Sequence, residues 1–211
     1  ELKDLETRIV RMINPACNFE YDPDRPSATR YPPPKQPVQE SSGYSLAGSF
    51  THDLVVSKAW LMTELAKIQP EISTLYILGS WYGNLALYMT LDPVISVDHF
   101  VLVEKDRGML AQSQRMLDRI GADNVDYMAK DANDIDYRQL DSQGAVVNTS
   151  LTDMPGRDWF DNIPRGTLVV LQARDHDRGY QFDSPESILQ KFPLTDVEYT
   201  GTKTLDRKST R

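Results

Sequence analysis

The chain has 211 residues, 40% apolar and 26% charged, which suits one globular domain with room for a small appendage. A net charge of −8 gives no overall basic face for a duplex or an extended phosphate backbone, so nucleic acid is the less expected partner, although a local basic patch stays open. A lone Cys17 cannot form an intrachain disulfide and no apolar run is long enough to cross a bilayer; a reducing, cytoplasmic setting without a membrane partner is the expectation.

Two segments are predicted. Residues 1–52 read as an N-terminal helix and a Pro-rich stretch, and residues 53–211 as an α/β domain. Leu2, Leu5, Ile9, Val10 and Ile13 have helical spacing, and Asn14-Pro15 stops the helix. From 18 to 49, Pro23, Pro26, Pro32, Pro33, Pro34 and Pro37 alternate with Tyr21, Tyr31 and Tyr44. Proline fixes φ and removes donors, so this stretch is extended and irregular, either a linker or a lid with aromatics to bury.

A helix follows, capped by Thr51 or Asp53, with Leu54, Val55, Ala59, Leu61, Met62 and Leu65 on its apolar face, and it ends before Pro70. Strands and helices then alternate. Strands are predicted at Thr74–Leu78, His99–Val103, Val125–Met128, Ala145–Val147, Thr167–Gln172 and Val197–Tyr199. Helices are predicted at Asn84–Met89, Arg107–Ile120, Asp158–Ile163 and Pro185–Lys191. Such alternation demands a doubly wound, mostly parallel sheet with helices on both faces, a Rossmann-like architecture. The polar stretch from Leu205 to Arg211 carries no further apolar run, so the sheet is expected to lack its last strand. The first residue is Glu1, and a processed product or a fragment fits that start.

Ligands of such sheets gather at the carboxyl ends of the strands. Gly79, Ser80 and Gly83 lie in the turn after the first strand, where glycine permits φ > 0 and close approach of a ligand to the backbone. Glu104, at the end of the next strand, is spaced from Gly83 as a ribose-binding acid is from a glycine fingerprint. An ordinary turn and a solvated carboxylate would produce the same pattern. Asp131-Ala132 after the third strand offers an acceptor and a backbone donor suited to adenine, or is simply a polar strand exit. Asn148-Thr149-Ser150 after the fourth strand presents several donors and acceptors, or caps the next segment. Gln172, Arg174 and Asp175 follow the fifth. No metal-ligand spacing, nucleophile elbow or P-loop is present, and consecutive residues such as Asp175-His176-Asp177 rarely all face one ion.

From about residue 53 onward these pieces resemble class I S-adenosylmethionine-dependent methyltransferases. Val147-Asn148-Thr149-Ser150, Met154, Trp159-Phe160, Ile163-Pro164, Gly166-Thr167-Leu168-Val169 and Leu171-Gln172 look like a phage and bacterial group of that family with mostly unassigned substrates. The resemblance implies S-adenosylmethionine as cofactor, Gly79, Ser80 and Gly83 as the first motif, Glu104 on the ribose, Asp131 and Ala132 at the adenine, and Asn148 at the fourth strand. This chain has Ile77 and Leu78 where the family carries an acid before the first glycine, leaving Ser80, a backbone carbonyl or Asn148 to hold the methionine amino group.

Asn148 would orient the acceptor, and Asp153, His52 or His176 would take a proton. A methyltransferase for a small molecule or an exposed protein side chain ranks first, a non-catalytic methyltransferase-like module second, and a nucleic-acid or nucleotide enzyme third. Oligomeric state is not legible.

Overall fold

The computed structural model describes residues 46–154, 156–174 and 182–205. The predicted helix Leu2–Ile13, Cys17, most of the Pro-rich stretch, Asp175, His176 and the tail after Leu205 lie outside the described residues. A 3₁₀ turn, Ala47–Phe50, leads into α1 (His52–Ile68). Then come β1 (Glu71–Leu78), α2 (Asn84–Leu91), β2 (Ser96–Val103), α3 (Arg107–Arg119) and β3 (Val125–Met128). A second 3₁₀ turn, Ala132–Asp134, precedes β4 (Ala145–Asn148), α4 (Asp158–Asp161), β5 (Leu168–Leu171) and α5 (Pro185–Lys191).

All five strands are parallel, in the order β3-β2-β1-β4-β5. This is a Rossmann-like doubly wound sheet whose direction of progress reverses between β1 and β4, the switch point where ligands bind. Side chains alternate across a strand, and that alternation divides the core. Leu75, Ile77, Phe100, Leu102, Ala145 and Val147 pack under α1, α2 and α3. Tyr76, Leu78, Val101, Val103 and Val146 face the other way, against Trp159 of α4 and Phe192 just after α5. Trp159, Phe160 and Phe192 meet pairwise with ring centroids 5.2 to 5.9 Å apart.

Several element boundaries differ from expectation for identifiable reasons. β1 and β2 start earlier, at Glu71 and Ser96: their first residues pair in register although Glu71, Ser73, Ser96 and Asp98 are polar and not buried, which interrupts the apolar pattern around the buried Ile72. Thr51 occupies the N-cap position of α1 without a side-chain cap bond, whereas Asp106 caps α3 by accepting from Gly108 and Met109 N–H at 2.8 and 3.1 Å. α4 is one short turn, ending ahead of Pro164. Val197–Tyr199 is not a strand. It is irregular and both Val197 and Tyr199 are 44% exposed, with Tyr199 resting edge-on against Trp60 of α1 at 6.5 Å. Among the described residues, β5 is therefore the edge of the sheet, and its four residues are only half-buried.

The first residue of α2 ties the chain ahead of α1 to the switch point. Asn84 is buried and donates Nδ2 to the Ser49 carbonyl at 2.6 Å and to Ser49 Oγ at 3.1 Å. Gly83 precedes it at φ 71, and a Cβ there would stand 2.1 Å from Ser113 Oγ of α3. Gly83→Ala is expected to lower stability by about 2 kcal/mol or more in urea unfolding, from a left-handed backbone plus overlap. Adding Ser113→Gly should recover the overlap part and leave the backbone part.

Candidate functional site

The turn after β1 is built on alternating left-handed residues: Gly79 at φ 58, Trp81 at φ 56 and Gly83 at φ 71. Gly79 suits its place for a second reason, since a Cβ there would lie 2.9 Å from Ser150 Cβ, and Ser150 Oγ donates to the Gly79 carbonyl at 3.0 Å. Ser80 N–H donates to the Val103 carbonyl at 3.0 Å, continuing the β1–β2 ladder into the turn. Its hydroxyl is buried and has no hydrogen-bond partner among the described residues.

Glu104, just past β2, reaches back to this turn. Its Oε2 accepts the Trp81 N–H at 3.0 Å and its Oε1 accepts the Asp106 N–H at 3.0 Å. The carboxylate holds a non-glycine residue in a left-handed conformation and orders the loop into α3. After β3, Asp131 is exposed and its Oδ1 accepts the Asn133 N–H at 3.0 Å, while Ala132 is buried. Asn133 in turn accepts the Trp159 N–H at 2.8 Å, fixing this loop to α4.

Asn148 ends β4 on the face shared with Leu78 and is fully buried. Its Oδ1 accepts the Ser150 N–H at 2.8 Å and its Nδ2 points to Met154 Sδ at 3.3 Å. Both halves of the amide are engaged inside the loop they start. Asp153, on the same loop, is exposed, as is His52 at the start of α1. Gly79, Ser80, Glu104, Asp131, Ala132 and Asp153 border an open cleft at the carboxyl ends of β1 to β4.

On the α1 side Gln172, one of the polar residues expected after the fifth strand, joins this cleft together with Lys58, which the sequence reading did not single out. Lys58 Nζ donates to Gln172 Oε1 at 3.0 Å, and Gln172 Nε2 donates to the Ser57 carbonyl at 3.1 Å. Burial, with the nearby Arg174 charge adding to it, pulls the Lys58 ammonium down from 10.5 to about 7. The signal was available in the alternation of β5: Gln172 continues the Leu168, Val170 side, which packs toward α1. No three His, Cys, Asp or Glu side chains converge to hold a metal among the described residues, and no described helix is long and apolar enough to cross a membrane.

No protein-family model and no curated protein matches the chain. Among solved structures it is similar to a methyltransferase from Geobacter sulfurreducens in complex with S-adenosyl-L-homocysteine, at 14% identity over 55% of this chain and 47% of that one, TM-score 0.44. It is similar to an rRNA methylase from Streptococcus thermophilus, at 12% identity over 70% of this chain and 82% of that one, TM-score 0.46. A third is an amino pentose methyltransferase from Micromonospora echinaspora bound to S-adenosylmethionine, at 16% identity over 58% and 51%, TM-score 0.44. The chain spans about half the length of the first and third of these. At such identities and scores the residues of the cleft must speak for its chemistry. By their descriptions these three solved structures are methyltransferases, and what the chain shares with them is a likeness of fold.

Proposed function

We propose that the chain is an S-adenosylmethionine-dependent methyltransferase acting on a small molecule or an exposed protein side chain. The observation that carries this reading is the bond from Glu104 to the left-handed turn at Trp81, which sets a glycine turn and a strand-end acid side by side at the switch point of a parallel sheet. The donor set fits a nucleoside. Each Glu104 oxygen accepts one backbone N–H, and a carboxylate has about four lone-pair sites, so two ribose hydroxyls still find acceptors. Asp131 Oδ1 is used within its own turn, leaving Oδ2 for an exocyclic amine beside Ala132. Gly79 borders the cleft at its left-handed turn, whereas Gly83, packed against Ser113, shapes that turn from behind.

Ser80 replaces the acid that this chain lacks before Gly79. Of the two side chains available, Asn148 is committed to Ser150 and Met154, whereas the Ser80 hydroxyl is buried with no partner among the described residues. A buried hydroxyl without a partner costs free energy, and the amino-acid end of a cofactor would supply the missing bond. Bound there, the sulfonium supplies an electrophilic methyl group. What remains for the protein is alignment and proton removal. Asp153, exposed on the loop that Asn148 holds, is the base for an acceptor that must lose a proton, with His52 as the alternative; Asn148 is a positioning residue for that loop.

One feature favours the second reading, a methyltransferase-like binding module without catalysis: both Glu104 oxygens are bonded inside the protein before any ligand arrives. Calorimetric titration of S-adenosylhomocysteine separates the two. Micromolar binding is expected, weakened at least about 30-fold in Glu104→Ala, the equivalent of about 2 kcal/mol for charge-assisted hydrogen bonds. A folded chain that binds neither S-adenosylhomocysteine nor S-adenosylmethionine would favour the module. Ser80→Ala should leave the melting temperature unchanged or higher, because it removes an unpaired buried hydroxyl, yet weaken the same titration about fivefold.

A further inference from the structure

The carboxyl end of β5 gathers two cations that the chemistry above does not use. Lys58 has three donors and gives one to Gln172, a neutral amide that offers a hydrogen bond without a countercharge. The charge that acts on it is Arg174, which repels it. Neither cation has a carboxylate partner among the described residues, where the ion pairs are Lys67 with Glu64, His99 with Asp126, Arg138 with Asp136 and Arg157 with Asp161. Carboxylates are not scarce, since Asp and Glu number 31 against 23 Lys and Arg. A half-buried ammonium facing a like charge is costly, and the cost shows in its pKa of about 7. Gln172, clamped on Ser57, nevertheless holds Lys58 in place beside the carboxyl end of β5.

We propose that Lys58 and Arg174 form an anion site at the acceptor end of the cleft and bind the carboxylate or phosphate of a small acidic methyl acceptor. Its assignment to the acceptor rests on the methyltransferase reading; the anion site itself does not. An anion beside the two cations supplies a countercharge that no described residue gives them and favours the charged form of Lys58. Binding therefore takes up a proton near neutral pH, and affinity falls as pH rises above the value at which free Lys58 loses its charge.

The test is titration of inorganic phosphate and, separately, acetate into the full chain at about pH 6 and about pH 9, with and without S-adenosylhomocysteine, followed by calorimetry and by the NMR signal of Lys58 Cε. At least one anion is expected to bind, more tightly at the lower pH for acetate, and to raise the Lys58 titration midpoint; which one binds separates carboxylate from phosphate acceptors. Lys58→Met and Arg174→Gln should each weaken it at least about tenfold while S-adenosylhomocysteine binding is unchanged. Arg174 is exposed, so its variant reports even where Lys58→Met disturbs folding. Absence of binding by both anions, or equal binding in Arg174→Gln, overturns the proposal. Anion binding that behaves as expected in a chain that ignores S-adenosylhomocysteine supports the anion site and removes the cofactor reading alone.

Discussion

The carboxylate of Glu104 sets the geometry on which the cleft depends. A left-handed Trp81 costs roughly 1–2 kcal/mol, and a hydrogen bond to a charged group is worth about 1.5–3, so the bond from its N–H outweighs the strain. The same side chain accepts from Asp106, and Asp106 caps α3. One acid thus links the end of β2, the turn after β1 and the first turn of a helix. Bonds made within the protein fix these groups, which lowers the ordering cost that binding would otherwise carry.

The alternation of side chains across the sheet determines which strand-end residues are used up and which stay available. Asn148 and Gln172 follow buried strands and carry similar amide chemistry, yet they go opposite ways. Asn148 falls on the α4 and α5 face, beside Leu78, and is sealed under its own loop. Gln172 falls on the α1 face, where it meets Ser57 and Lys58. The start of the loop after β4 is held by bonds from Ser150 to Gly79 and to Asn148, which ties it to the turn after β1.

Much of this architecture was legible in the sequence because buried parallel strands are continuous apolar runs: Leu75–Leu78 and Val101–Val103 can scarcely be read otherwise. The strand-end positions of Gly79, Glu104, Asp131 and Asn148 followed from that frame. What the pattern could not carry was the fate of each polar group. Nothing in the order of residues says that Glu104 turns back to Trp81, that Asn148 is consumed locally, or that Lys58 lies against Gln172, 114 positions away. Val197–Tyr199 was misread because alternating apolar and polar residues satisfy a strand pattern whether or not a neighbouring strand exists to pair with.

The two hydrogen bonds from Asn84 to Ser49 have a practical side for anyone trimming this chain. Ser49 precedes α1 and belongs to no helix or strand of the sheet core, so a shortened version beginning at α1 would look complete on a topology diagram. It would nonetheless strip a buried amide at the entrance to α2 of both its acceptors, and take away Phe50, which packs edge-on against Tyr88. An orphaned buried amide costs about 1–3 kcal/mol, a sizeable part of a typical domain's whole stability. A trimmed version that keeps these contacts therefore has to begin upstream of α1, at or before Ser49.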